Sequence, residues 1–345
     1  MFTRRRRSLT LVLLLVLLAL IAIPLLTRDS DDELSLDHST QTAIDWLRSQ
    51  QLPAGAFAGF SGGADPGMTA DAVLAFAAVG VDPDSVSTGD GASAIDYLRA
   101  VAGDIASDAG LAAKVALALH AAGENPRDVG GVDLIAAIDA AFDETTGWHG
   151  LSFYGHALAA LALDAADAPV PAEAVEAMLA AQTPEGSWGF AGSPEAGSGD
   201  SNTTALAIQA LVAVGQGGDA VERGLDYLRS LQDDDGAVAY DASAAPNLAG
   251  DANSTALAIQ AFVAAGHDPT ALPGGDLRAA LVSFQNESGA FQFQSAFPDD
   301  SLLATAQAIP ALMGVALPYD PVARAEPALA PTRSAVVLPV RGFAR

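Results

Sequence analysis

The chain has 345 residues, half of them hydrophobic, with 42 acidic and 16 basic side chains and no cysteine. That length buries a sizeable core in one or two domains, while the missing thiols exclude disulfide scaffolds, thiolate zinc sites and cysteine nucleophiles. A net charge of −26 speaks against nucleic acid, which is bound by releasing counterions to Lys and Arg.

The first element is residues 1–28, where Arg4–Arg7 precede an apolar run from Leu9 to Leu26. At 1.5 Å per residue the run spans roughly 27 Å, close to the thickness of a bilayer core. No A-x-A cleavage site follows it, so it is expected to be an uncleaved single-pass signal anchor at the cell membrane. The arginines would stay in the cytoplasm and the remainder would be extracytoplasmic, or secreted if the signal were cleaved. Residues 29–40, with Asp29, Asp31, Asp32 and Glu33, form an acidic spacer.

Residues 41–318 repeat themselves. Gly199-Asp-Ser-Asn-Thr-Thr-Ala-Leu-Ala-Ile-Gln-Ala-Leu211 matches Gly250-Asp-Ala-Asn-Ser-Thr-Ala-Leu-Ala-Ile-Gln-Ala-Phe262, and weaker copies begin near Asp65, Asp108, Ser152 and Ser301. An amphipathic segment and a Gln-x3-Gly-x-aromatic element precede most copies, clearest in Gln182-Thr-Pro-Glu-Gly186-Ser-Trp188. Each unit reads as an outer helix, a Gly-containing loop and an Ala/Leu-rich inner helix that is apolar nearly all round. Such hairpins bury their faces only by stacking. Six of them are predicted to close into an all-α (α/α)6 toroid, preceded by the transmembrane helix. Residues 319–345, with four prolines, read as a poorly ordered tail.

The polar residues of the repeats give the candidate site. Asp65, Asp108, Asp200 and Asp251 precede inner helices, and Asp299 and Asp300 stand just ahead of the last. Asp and Ser at these places serve as N-caps, and the same carboxylates would ring a cavity mouth. Asn202 and Asn253, with Thr203, Thr204, Ser254 and Thr255, supply amides and hydroxyls beside Asp200 and Asp251. Gln209 and Gln260 recur on lumen-capable faces, where they either bond a neighbouring helix or meet a ligand. These groups suit a neutral polar ligand with an apolar body. His149 and His156, seven apart around a loop, are expected to be hydrogen-bonded and partly buried. Gly59-Phe-Ser61-Gly-Gly63 fits a nucleophile elbow without the required strand, and Asp233-Asp234-Asp235 reads as a solvated turn. A carboxylate pair from the mouth would serve a glycosidase, but 6% aromatic content argues against a sugar site.

The Gln-x3-Gly-x-Trp element resembles the repeat motif of squalene and other terpene cyclases, and the 41–318 array resembles the prenyltransferase/squalene-oxidase repeat superfamily. That resemblance extends to the vitamin B12 carriers of the intrinsic-factor type, and implies corrin contacts for Asp200, Asn202, Asp251 and Asn253. A corrinoid is thus one expected ligand, an isoprenoid another, and no resident cofactor or metal site is read from the residues. Cyclases of the protonating kind use Asp-x-Asp-Asp, whose only match, Asp29-Ser-Asp31-Asp32, lies outside the repeats. Prenyltransferase β-subunits bind zinc partly through Cys, which is absent. The expected protein is therefore a non-catalytic toroid that binds a small molecule or a surface protein in its lumen. Two alternatives stay open: a cyclase-like isomerase or lyase using Asp200, Asp251, Asp299 or Asp300, and a display module with a filled lumen.

Overall fold

The computed structural model describes residues 37–88, 91–245 and 247–322. The predicted membrane segment, most of the spacer and residues 323–345 lie outside them. Among the described residues no helix is long and apolar enough to cross a membrane.

Outer helices are α1 (His38–Ser49), α3 (Ala94–Ala100) with its continuation α4 (Ala102–Ile105), α6 (Leu134–Ala140), α8 (Ala172–Ala180), α10 (Asp219–Ser230) and α12 (Leu277–Val282). Inner helices are α2 (Pro66–Ala78), α5 (Ala109–Ala121), α7 (Phe153–Ala165), α9 (Ser201–Ala213), α11 (Ala252–Ala264) and α13 (Leu302–Leu312). Each inner helix packs on the next in that order, and α13 packs back on α2, so the ring is closed. The burial follows the sequence pattern. On α11 every residue from Ala252 to Phe262 is buried, whereas α10 buries one stripe, Val221, Gly224, Leu225, Tyr227 and Leu228.

The Gln and Gly of the loop element make the outer belt. Gln182 Nε2 donates to Gly186 O within its own loop and to Ala220 O on the next outer helix, each at 2.8 Å. Gln285 does the same across the seam, donating to Gly289 O at 2.9 Å and to Ser39 O on α1 at 2.8 Å. Gly186 lies at φ +91°, and a Cβ there would stand 2.5 Å from Arg223 O, so the loop can approach the next helix only as glycine.

Three features differ from the expected all-α toroid of residues 41–318, one in its elements and two in its bounds. Short antiparallel hairpins β1–β2 (Phe57–Ala58, Ala64–Asp65), β3–β4 (Phe142–Asp143, Trp148–His149) and β5–β6 (Phe291–Gln294, Phe297–Ser301) join outer to inner helices. In β1–β2 and β5–β6 the chain leaving the Gly turn runs back beside the segment that enters the inner helix, whereas β3 and β4 flank the turn at Gly147 itself. Helix α1 begins at His38, inside the predicted spacer, because Gln285 of the last unit holds its first turn. At the other end Tyr319 is buried and Val322 N–H donates to Ala121 O at 2.9 Å, so the fold continues past residue 318.

Candidate functional site

All six inner helices start at one face, capped as their sequences predict. Asp65 Oδ1 accepts Met68 N–H at 2.7 Å, Asp108 Oδ1 accepts Gly110 N–H at 2.9 Å, and Asp200 Oδ1 accepts Thr203 N–H at 2.7 Å. Asp251 Oδ1 accepts Ser254 N–H at 2.8 Å, while Ser152 and Ser301 accept from Gly155 and Ala304. Four residues further on, a second side chain receives the N–H of the incoming loop. Thr69 takes Phe57, Thr204 takes Trp188, Thr255 takes Val238 and Thr305 takes Phe291, at 2.8 to 3.0 Å.

These bonds occupy most of the polar groups expected to meet a ligand. Asp200 Oδ2 also accepts the Thr203 hydroxyl at 2.9 Å and Phe190 N–H at 3.2 Å, and Asp251 Oδ2 accepts the Ser254 hydroxyl at 2.7 Å. Burial pushes both carboxyls above the usual range, against these bonds. Thr204 and Thr255 are loop pins. Gln209 and Gln260 sit deep: Gln209 Oε1 accepts Leu317 N–H at 2.9 Å, and the Tyr319 hydroxyl meets Gln260 Oε1 at 3.5 Å. Both hold residues 317–319 across the far end of the lumen, which is therefore stopped at that end. Asp108 is exposed and lines neither of the two spaces that open at the mouth. Asp300 accepts Asn286 Nδ2 and the Ser288 hydroxyl from the last loop.

What remains open is a chamber of about 730 Å³ at the mouth, joined on its α2 side to a cleft of about 520 Å³. Residues in register across the helices line it. Two places after the caps stand Gly67, Tyr154, Asn202, Asn253 and Leu303. Six places after them stand Asp71, Lys114, Leu158, Leu206, Leu257 and Gln307, one from each unit. Of the predicted residues, Asp65, Asp299 and Asp300 border the cleft, and Asp200, Asn202 and Asn253 border the chamber. Asn253 Nδ2 donates to Gln307 Oε1 at 2.7 Å, and Asp251 stays behind its own cap.

The six-place layer carries the residues that the repeat pattern passed over. Lys114, the one lysine of the chain, meets Asp71 Oδ2 at 2.6 Å where chamber, cleft and floor adjoin. Burial raises the Asp71 carboxyl, and the Lys114 ammonium pulls it back. Above the pair, burial pushes the Tyr154 hydroxyl up and its ring stacks on Phe190 at 6.1 Å. Phe60, Phe190, Tyr240, Phe293 and Phe297 are exposed and line this mouth. The low aromatic content is thus no guide to the lumen, because a large share of the rings gathers there. Aligning the six units by their caps would have found Asp71 and Lys114, as departures from Leu at one register position.

The histidines meet, in a more buried setting than expected. His156 replaces the loop-pinning Thr of its unit: Nδ1 accepts His149 N–H at 3.2 Å, and Nε2 lies 3.0 Å from Ala174 O. The two rings stack at 5.5 Å with their Nδ1 atoms 3.3 Å apart. Burial and the neighbouring His156 push His149 down to about 4. Among the described residues no group of three His, Asp or Glu side chains could hold a metal ion.

The sequence profile of the prenyltransferase alpha-alpha toroid domain matches residues 8–113 and 139–259. No curated protein matches this chain. Among solved structures, the type II terpene cyclase MstE from Scytonema superposes with a TM-score of 0.56 at 15% identity, over 80% of this chain and 96% of its own. A protein from Actinoplanes gives 0.58 at 18% identity over 80% and 98%, and an unsaturated glucuronyl hydrolase specific for heparin gives 0.54 at 12% over 80% and 95%. At these identities the likeness is one of fold.

Proposed function

Because this chain belongs to the prenyltransferase alpha-alpha toroid domain family, we propose that its stopped lumen binds an elongated, isoprenoid-like molecule with one uncharged polar head, without changing it chemically. The observation that carries this reading is the Asp71–Lys114 ion pair set, with Gln260 and Gln307, among Leu, Phe and Tyr side chains at the base of an open chamber. Apolar walls favour a hydrocarbon body at about 25 cal/mol per Å² removed from water. The ammonium's remaining N–H groups and the free Asp71 oxygen offer donors and an acceptor to a hydroxyl or carbonyl head. Asp65, Asp299 and Asp300 around the mouth disfavour a diphosphate or carboxylate ligand.

The binding reading also draws on the state of the acids. A carboxyl that protonates an alkene must hold its proton and aim it at the substrate. Asp71 accepts from Lys114, and Asp200 and Asp251 accept from their own helix starts. A cyclase-like isomerase or lyase is the second reading, favoured by the raised Asp71 carboxyl beside the chamber. A corrinoid is the less supported ligand class, since Asp251 does not line the cavity. We place the toroid on the extracytoplasmic side of the membrane, held by Leu9–Leu26, with a small molecule as partner.

Mass spectrometry of lipids extracted from the natively purified full-length chain tests the reading. A polyprenol-like molecule, retained unaltered and lost on Phe190→Ala with Phe293→Ala, is the expected result. Conversion of added geranylgeraniol to a cyclic isomer, abolished by Asp71→Asn, would replace binding with catalysis. Absence of any retained or added ligand would leave the chamber unassigned to lipids and overturn both.

A further inference from the structure

We propose that the face opposite the mouth carries a docking groove for the chain's own basic tail, residues 333–341. The groove, of about 770 Å³, lies between α7, α8 and the end of α9, with Val170, Val175, Leu179 and Val214 as walls and Asp164 and Glu176 at its edge. Leu179 is exposed there although Met178 beside it is fully buried, so an apolar side chain waits uncovered on an otherwise amphipathic outer helix. Neither acid has an ion-pair partner among the described residues. Burial and the nearby Asp167 hold the Asp164 carboxyl above its usual range.

The chemistry of the tail is the complement of this groove. Residues 37–322 carry seven basic side chains against 37 acidic ones, while residues 323–345 carry four arginines and a single glutamate. Within the tail, Ala335-Val336-Val337-Leu338-Pro339-Val340 is apolar and is bracketed by Arg333 and Arg341. The body's negative field therefore draws the tail in, and the apolar stretch matches the groove walls with an arginine at each end for the acidic edge.

Position permits it. Val322 is hydrogen-bonded to Ala121 O at the end of α5, the ring neighbour of α7, and the end of α9 is one helix further. Axes of packed helices are about 8–10 Å apart, so the groove lies roughly 20 Å from that point. Residues 323–333 extend up to about 35 Å at about 3.3 Å each, which covers the path with slack. The groove is on the face away from the chamber, so the proposal does not depend on what the chamber binds.

Because the chain has no cysteine, a pair of introduced thiols reports only on this contact. Leu179→Cys with Val337→Cys in the full-length chain is expected to form an intramolecular disulfide in the monomer on mild oxidation. Leu179→Cys with Ala344→Cys, beyond the apolar stretch, is expected to react at least about tenfold more slowly, a difference of about 1.4 kcal/mol. Arg333→Glu with Arg341→Glu, or salt that shortens the Debye length to about 3 Å, is expected to slow the first pair by a similar factor. Equal rates for the two pairs, no disulfide, or one that joins two chains would overturn the proposal, the last by assigning the groove to a second copy. Maleimide labelling of Leu179→Cys alone gives an independent readout: slower in the wild-type tail background than with both arginines reversed.

Discussion

The arc of the ring built from α9 and α11 and the arc built from α2 and α5 put the same helix positions to different use. Helices α9 and α11 start with nearly identical segments, and their recurring caps and hydroxyls are spent on the helix start and the adjoining loop, while Asn202 and Asn253 face the chamber. Asp200 and Asp251 cap, Thr203 and Ser254 brace the caps, and Thr204 and Thr255 pin the incoming loops. In α2 and α5 the repeat is eroded, and the position six after the cap holds Asp71 and Lys114 where α7, α9 and α11 hold Leu158, Leu206 and Leu257. What recurs from unit to unit makes the unit fold. What occurs once equips the lumen.

The sharpest way to break that distinction is to remove one charge of the unrepeated pair. Asp71→Leu leaves the Lys114 ammonium without its counter-charge in a mostly buried place, and a cost of about 2–4 kcal/mol is expected. Adding Lys114→Met should recover most of it, because an apolar pair of similar volume suits the Leu-lined layer. Urea unfolding of the two variants checks this. A single substitution no costlier than the double one would mean that the pair is solvated and is not the chamber's polar base.

The third unit sharpens the comparison through pH. His156 stands where other units use a neutral hydroxyl, with His149 as the loop residue it pins, and burial holds both rings below the ordinary histidine value, His149 down to about 4. Between about 4 and 6.5 the unfolded chain therefore binds more protons than the folded one, and stability falls as the pH falls through that window. A loss on the order of 2 kcal/mol is expected from this pair. His149→Phe keeps the ring stacked and removes one titrating group, so it should flatten the decline in melting temperature measured from pH 6.5 to 4.5. An unchanged slope would place the acid sensitivity elsewhere.

The ring, its caps and its two-helix units were legible because each rests on local chemistry repeated several times, as with Asp200 and Asp251 before Ala/Leu-rich runs. The roles of Thr204, Gln209 and Gln260 were not, because they depend on which segment arrives from elsewhere: Trp188 from the preceding loop, Leu317 and Tyr319 from beyond the last helix. The role of Asp71 was not legible because it lies below the repeated capping row, at a register position where three other units carry Leu and no recurrence marks it. The aromatic mouth had a signal in the sequence, since Phe190, Tyr240 and Phe293 each stand four residues after a loop glycine, Gly186, Gly236 and Gly289, while Phe60, five after Gly55, departs from that spacing.

The repeated row predicts a smaller and more uniform response. Thr204→Val and Thr255→Val each leave a buried loop N–H, that of Trp188 or of Val238, without its acceptor at nearly constant volume. An expected cost of about 1–2 kcal/mol each follows. The sites are separate enough that the double variant should be close to additive. Neither should alter the retention of a ligand in the chamber, since both side chains point to the loops.

The smallest effect belongs to the far end. Gln209→Leu removes the acceptor of Leu317 N–H, and Gln260→Leu removes only a 3.5 Å contact with the Tyr319 hydroxyl. About 1 kcal/mol is expected for the first and less for the second, because a bond that long is weak. Both helices would stay capped and packed, so the change should be read locally, as faster hydrogen exchange at Leu317 and Tyr319 with an unchanged pattern at the caps. If exchange at the caps rose as well, the segment at 317–319 would be a support of the whole ring rather than a stopper of its lumen, and the boundary between the repeated frame and its unrepeated fittings would have to be redrawn there.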